Sequence, residues 1–145
     1  MKPALITAIL LMAPTAALAH GYRIGDLEII HPVIMAPSAH ADCSCAHVKI
    51  INHGNRPEYF LGARISVAER THLVSMSSQG QGLSMPSRVE IGPGETLALG
   101  RQNWCLFMSG ITASLEADMG AVAGELVFEH HGPLAIEFMI DEAQR

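Results

Sequence analysis

Residues 43–52 read Cys-Ser-Cys-Ala-His-Val-Lys-Ile-Ile-Asn, and this stretch decides the fold. Apolar residues fill every second position, at Ala46, Val48 and Ile50. The positions between and before them carry sulfur and imidazole groups, at Cys43, Cys45 and His47. Because successive side chains of a β-strand point to opposite faces, the stretch predicts a strand with an apolar core face and a ligand-bearing outward face.

The rest of the chain predicts more strands of the same kind. Short segments rich in Val, Ile and Leu alternate with glycine and proline at intervals of about ten residues, which favours an all-β sandwich or barrel. The predicted strands are 27–30, 46–52, 59–67, 88–91, 95–99, 105–108, 124–129 and 134–140. Turns are expected at 52–55, 92–94 and 131–133. Residues 75–86 are predicted to form a flexible loop, and 112–119 a short helical or irregular crossover.

The N-terminus has the features of a secretory signal peptide. Lys2 precedes an apolar run at 4–12, and small residues end in Ala-Leu-Ala at 17–19. We expect cleavage after Ala19, which leaves a single domain of residues 20–145 that begins at His20. No later segment approaches the roughly 20 apolar residues of a spanning helix, so no membrane span is expected in the mature chain.

Composition and motifs argue against several function classes. The net charge is -5, and no run of basic residues is present, so nucleic acid is not an expected partner. The chain contains neither Gly-x-Ser-x-Gly nor His-Glu-x-x-His, which argues against common hydrolases. A copper oxidase built on His20 would need a second well-placed histidine, which His31, His40 or His130 could supply, but the motifs show no substrate cleft or acid-base pair. We therefore do not expect an enzyme.

The three cysteines leave two interpretations open. In an exported protein disulfides can form, but three cysteines cannot all pair within one chain. A bridge between Cys43 and Cys45 would be strained, whereas either of them can meet Cys105 across a sheet. The cysteines therefore form one Cys105 disulfide and a spare thiol, or they serve as metal ligands.

As ligands, sulfur and imidazole together favour Cu(I) over hard cations such as Mg²⁺. Cys43, Cys45 and His47 would form a Cu(I) or Zn²⁺ corner on one strand. The imidazole of His20 and its free α-amino group would form a chelating pair for Cu(II). A half-exposed strand with tolerated cysteines and a frayed terminus are the plainer alternatives.

Among the methionines, Met85 is the strongest candidate for a thioether ligand, because it follows a Gly-rich loop and precedes Pro86. Met76 is a lesser candidate. Met108 is expected to point to the core face of its strand. The histidines expected to face solvent without a metal role are His31, His130 and His131.

Four segments, taken in order, resemble the bacterial periplasmic copper chaperones associated with the dinuclear copper centre of cytochrome c oxidase. The mature start His-Gly-Tyr-Arg-Ile-Gly-Asp-Leu-Glu-Ile-Ile-His-Pro at 20–32 is similar to the family's. Val-Lys-Ile-Ile-Asn-His-Gly at 48–54 resembles its strand and Asn-x-Gly turn. Val-Glu-Ile-Gly-Pro-Gly at 89–94 and Glu-Leu-Val-Phe-Glu at 125–129 continue the match.

The resemblance implies a cupredoxin-like β-barrel that binds Cu(I) through a His, a loop Met and a later His-x-Met pair. His72 matches the first His, and Met85 matches the loop Met. Cys105 and Phe107 stand at the positions of the His-x-Met pair, so this half of the family pattern has changed. A Cys105 thiolate can still bind copper, whereas Phe107 cannot.

Two functions follow as expectations. The first is a periplasmic chaperone that holds Cu(I) and passes it to a partner such as a cytochrome oxidase copper centre or another carrier. The second is a copper or zinc buffer, or a degenerate module of the same fold, with no transfer role. A monomer is expected, and exposed thiolates would permit a dimer bridged by metal.

Overall fold

The computed structural model describes residues 21–37, 41–76, 82–100, 103–112, 114–115 and 120–141. Within these ranges the chain forms strands and turns and no helix, which confirms the all-β prediction. The strands are β1 (Gly21–Ile24), β2 (Leu27–Met35), β3 (Cys43–Asn52), β4 (Glu58–Ile65), β5 (Ala68–Met76), β6 (Leu83–Ser84), β7 (Val89–Ile91), β8 (Thr96–Leu99), β9 (Trp104–Ile111), β10 (Ala121–Phe128) and β11 (Gly132–Asp141). The described residues accordingly include no helix that could span a membrane.

The strands form one continuous sheet that curls back on itself. Its order is β6-β5-β9-β3-β2-β11-β10-β4-β7, with β1 paired to β2 and β8 paired to β3. The pairs are antiparallel except for β11 and β2, which run parallel. β4 and β5 lie near opposite ends of this order, yet they are in contact because only Ser66 and Val67 connect them. The curl therefore encloses a single core.

Alternation along the strands fills this core. In β3, Ala46, Val48 and Ile50 are buried, while Cys43, Cys45 and His47 lie on the other, half-exposed face, as the sequence predicted. In β9, Leu106 and Met108 are fully buried. Met108 is therefore a core residue, as expected from its position in the strand.

Strand β5 is the main element that sequence analysis missed. Its residues Ala-Glu-Arg-Thr-His-Leu-Val-Ser-Met are mostly polar, and Leu73 is the one core residue among positions 68–75. The prediction of a loop at 75–86 was wrong at 75–76, which end β5, and at Leu83–Ser84, which forms β6, whereas Met85 and Pro86 lie outside the strands as predicted. Residues 77–81 lie outside the described part of the chain, as do 113 and 116–119 of the predicted crossover.

Two buried polar residues fasten the turns. Asn52 is 2% exposed and donates to the carbonyl oxygens of Arg56 at 2.7 Å and Ile91 at 2.9 Å, while its own oxygen accepts from the Gly54 N–H at 2.9 Å. This side chain thus ties the turn after β3 to β7. Because a buried amide must keep its hydrogen bonds, the Asn that begins the Asn-x-Gly motif has a structural role in this turn.

Glu58 holds the hairpin between β10 and β11. This carboxylate is 2% exposed and accepts from the backbone N–H groups of Tyr59 at 2.7 Å, His130 at 3.0 Å and His131 at 3.0 Å. The Nδ1 atoms of both His130 and His131 also approach it. His130 and His131 are exposed, as the sequence predicted, and they also anchor this turn through their backbone N–H groups.

The environment of Glu58 predicts acid-dependent stability. Burial raises the pKa of this carboxyl, but the hydrogen bonds from His131 and from the three backbone N–H groups outweigh it, so the pKa lies below its usual 4.5. A depressed pKa means that the carboxylate stabilises the fold fully above the unfolded-state pKa and stops doing so as the pH falls through the folded-state pKa.

Glu58→Gln should therefore lower the free energy of unfolding by about 1–3 kcal/mol at neutral pH, since buried donors lose a charged acceptor. The difference from the wild type should shrink as the pH falls below 4.5. Urea denaturation over a pH series measures both effects. Glu90→Gln, at an exposed position in β7, is the matched control and should change little. A constant difference at all pH values would contradict this account of Glu58.

Candidate metal centre

The candidate metal ligands gather on the outward side of β5, β9 and β3, where β9 lies in the middle. His72 of β5 and Cys45 of β3 both pair with Phe107 of β9, from its two sides. Cys105 lies two residues before Phe107 and pairs with Val74. We call the side chains of His72, Val74, Cys105, Phe107 and Cys45 the outer face.

Burial confirms that these side chains share one side of the sheet. Leu73 and Leu106, which alternate with them, are buried in the core. His72 is exposed, and Phe107 is 37% exposed. His72, at the position of the first His of the resembled family's pattern, thus lies beside Cys105 and Phe107, which stand at the positions of its later His-x-Met pair. The two segments are far apart in sequence.

Cys45 and Cys105 form a disulfide with a Cα–Cα distance of 5.9 Å. The sequence left open a Cys105 disulfide with a spare thiol or three cysteine ligands, and the structure has the Cys105 disulfide. Disulfide sulfurs carry no thiolate charge, and thiolate is the form of cysteine that binds metal. The predicted ligation by Cys45 and Cys105 therefore requires that the bond first be reduced.

Cys43 is a free, half-buried thiol at the start of β3. It pairs with Ser109, four residues along β9 from Cys105, which corresponds to about 13 Å in a strand. Cys43 and Cys105 are therefore too far apart to bridge in this register. The register explains why Cys45 is the cysteine that pairs.

His72 and Met85 line the same surface pocket, which has a volume of about 350 Å³. It lies where β5 and residues Met85 and Pro86 approach β4, and we call it the edge pocket. Met85 is 65% exposed, which is unusual for a residue that could have packed in a core. The edge pocket is lined by Leu61, Gly62, Ala63, Arg64, Thr71, His72, Leu73, Met85, Pro86 and Val127.

His47 lies at a second pocket, of about 490 Å³, together with His31 and Met35. Its imidazole packs on Gly100, where an added Cβ would come within 2.0 Å of the ring. Gly100 also has a φ of +85°, so this close approach depends on glycine. His47 thus shares a face with Cys43 and Cys45 but reaches a different pocket from His72.

Two predicted ligands are not described. His20 lies outside the described residues, and so does the side chain of Met76, the last residue of β5. Among the side chains that are described, no group of three or more His, Cys, Asp or Glu is arranged to hold a metal ion. The imidazole of His72 and the thioether of Met85 are one pair of potential ligands that the fold brings to a single pocket with the disulfide intact.

Solved structures with the same fold include two PCuAC domains. The apo PCuAC domain from PmoF1 has a TM-score of 0.75 and 21% identity over 86% of this chain and 100% of that one. The copper-bound PCuAC domain from PmoF2 has a TM-score of 0.74 and 17% identity over 86% and 99% of the two chains.

A third similar structure is CuI-DR1885 from Deinococcus radiodurans, with a TM-score of 0.66 and 18% identity over 86% of this chain and 83% of that one. No family model matches the sequence, and no curated protein matches it. At these identities the likeness shows a shared fold, and the fold that the sequence resemblance implied is confirmed.

Proposed function

We propose that this protein is a periplasmic copper chaperone that holds Cu(I) in the edge pocket through His72 and Met85 and passes it to a copper-accepting partner. The observation that carries the proposal is that these two residues, which are distant in sequence, line one pocket. The similar structures of a copper-bound PCuAC domain and of CuI-DR1885 support copper as the cargo. Export through the segment 1–19 fits this role.

The chemistry of the pair selects Cu(I). A thioether is a soft, neutral ligand, and imidazole binds copper well, whereas neither suits Mg²⁺ or Ca²⁺. The apolar ring of Phe107 stands opposite His72 and adds no ligand. The site therefore offers fewer ligands than the family pattern would, and copper in it stays coordinatively open.

The exposure of the two proposed ligands supports transfer of copper to a partner. Because His72 and Met85 are exposed, an incoming thiolate or thioether of a partner can bind the copper before the first ligand leaves. Exchange of one ligand at a time avoids free copper. The partner, such as a cytochrome oxidase copper centre or another carrier, is not specified by this chain. We expect a monomer, with a metal-bridged dimer possible through the Cys43 thiol.

A second function is favoured by one observation, the Cys45–Cys105 disulfide next to Phe107. Two of the four positions of the family pattern then provide no ligand. Such a chain would be a degenerate or buffering module with no transfer role. The strand corner of Cys43, Cys45 and His47 and the amino-terminal His20 chelate stay predictions as additional sites.

Substitution of either ligand should weaken Cu(I) binding. His72→Ala and Met85→Leu in the mature, oxidised protein should each lower the affinity by roughly tenfold or more, because each removes one metal bond. Anaerobic competition with a chromogenic Cu(I) chelator, with copper supplied as its acetonitrile complex, measures this. His53→Ala and Met139→Leu are the controls, since both residues lie outside the edge pocket and outside the pocket of His47. Equal affinities for all four variants and the wild type would refute the site.

Release kinetics separate the chaperone from a buffer. If copper leaves by ligand exchange at an open site, the release rate should rise in proportion to the concentration of the accepting chelator. A rate that is independent of chelator concentration would mean that copper must dissociate first, as expected for a closed storage site. Stopped-flow absorbance of the chelator complex gives the rate directly.

A further inference from the structure

We propose that the Cys45–Cys105 disulfide gates the copper site: when a dithiol reductant opens the bond, the Cys105 thiolate joins His72 and Met85 as a third ligand. This inference rests on the proposed function, because it concerns the same site. The protein would then hold Cu(I) weakly in the oxidised form and tightly in the reduced form.

The sheet register brings Cys105 within reach of a shared metal ion. His72 pairs with Phe107, so Cys105, two residues before Phe107, is its diagonal neighbour across β5 and β9. Diagonal neighbours on one face of a sheet are about 7–8 Å apart, a distance that an imidazole and a thiolate span by meeting at one metal ion.

Met85 completes the arrangement from the other side of β5. Ser75 pairs with Ser84 and Met76 with Leu83, and this register, if continued one residue past the end of β6, would set Met85 beside Val74. Val74 is also the partner of Cys105. The three potential ligands therefore surround Val74 on the outer face, with Phe107 as the apolar neighbour.

The disulfide withdraws the strongest of these ligands. Thiolate binds Cu(I) more strongly than neutral imidazole or thioether does, whereas a disulfide sulfur has no charge to offer. In the reductive step, one thiolate of the dithiol attacks the protein bond and forms a mixed disulfide, which its second thiol resolves. The protein gains two thiols, and the dithiol becomes a disulfide. On binding Cu(I), the Cys105 thiol releases its proton.

The sheet can keep its register without the bond. β3 pairs with β9 at Cys43–Ala46 and with β8 from Val48 to Ile51, and both strands contribute fully buried core residues. Cys43 cannot replace Cys45, because it lies opposite Ser109. Reduction therefore frees Cys105 with no cysteine other than Cys45 within bridging distance. If the disulfide had only a structural role, removal of Cys45 and removal of Cys105 would have the same effect on Cu(I) affinity.

The two cysteine variants give opposite predictions. Cys45→Ser leaves Cys105 as a permanent thiol, so this variant should bind Cu(I) tightly with no reduction. Cys105→Ser removes the ligand, so it should bind weakly even after treatment with dithiol. Ser109→Ala, in β9 but away from the three potential ligands, should behave as the wild type does in both states and serves as the matched control.

The experiment measures Cu(I) affinity by anaerobic chelator competition for the wild type and the three variants, before and after dithiol treatment and removal of the dithiol. Maleimide labelling and mass spectrometry should first show one thiol in the untreated wild type and three after reduction. Circular dichroism checks that each sample keeps its β structure. Reduction of the wild type should tighten binding by about 100-fold, since a thiolate is added.

Equal affinity of Cys45→Ser and Cys105→Ser, or no change when the folded wild type is reduced, would overturn the gate. If the oxidised protein still binds Cu(I) through His72 and Met85 in that case, the proposed function survives without the gate. If His72→Ala has no effect in either redox state, the proposed function itself fails.

Discussion

The pairing of β9 between β5 and β3 is the constraint on which the candidate site depends. Leu106 and Met108 are fully buried, so β9 cannot shift by one residue without moving its core side chains to solvent. This fixes Cys105 and Phe107 on the outer face. It also sets His72 and Cys45 on the two sides of Phe107, which determines both the disulfide partner and the neighbours of any bound metal.

The same register explains how a changed ligand pattern can keep its chemistry. In the proposed copper site Phe107 contributes no ligand, so the oxidised protein would rely on the imidazole of His72 and the thioether of Met85, which suit a cargo that must leave again. Under the proposed gate, Cys105 would add a much stronger ligand only when its bond to Cys45 is open. Cargo affinity would thereby depend on the redox state of the surrounding compartment. The proposed gate links the Cys45–Cys105 disulfide with Phe107, and each of these features by itself points to a lost copper site.

Much of the fold was predictable because alternation and turn residues carry a strong signal. Strand β3 and the turns around Gly54 and Gly94 follow from local sequence alone. Strand β5 did not, since Leu73 is its one core residue at positions 68–75 and its other side chains resemble those of a loop. Its pairing with β9 is a long-range property, and so is the choice of Cys45 over Cys43. The role of Glu58 was also missed, because nothing in its local sequence shows that His130 and His131 fold back onto it.

The claim that Cu(I) sits between His72 and Met85 is tested most directly by NMR of the oxidised protein labelled with ¹³C at the methionine methyl groups. Equimolar Cu(I) should shift the Met85 methyl signal, assigned through Met85→Leu, together with the imidazole signals of His72. The buried Met108 methyl should stay in place. Shifts confined to other methionines, with the Met85 and His72 signals unchanged, would contradict the account.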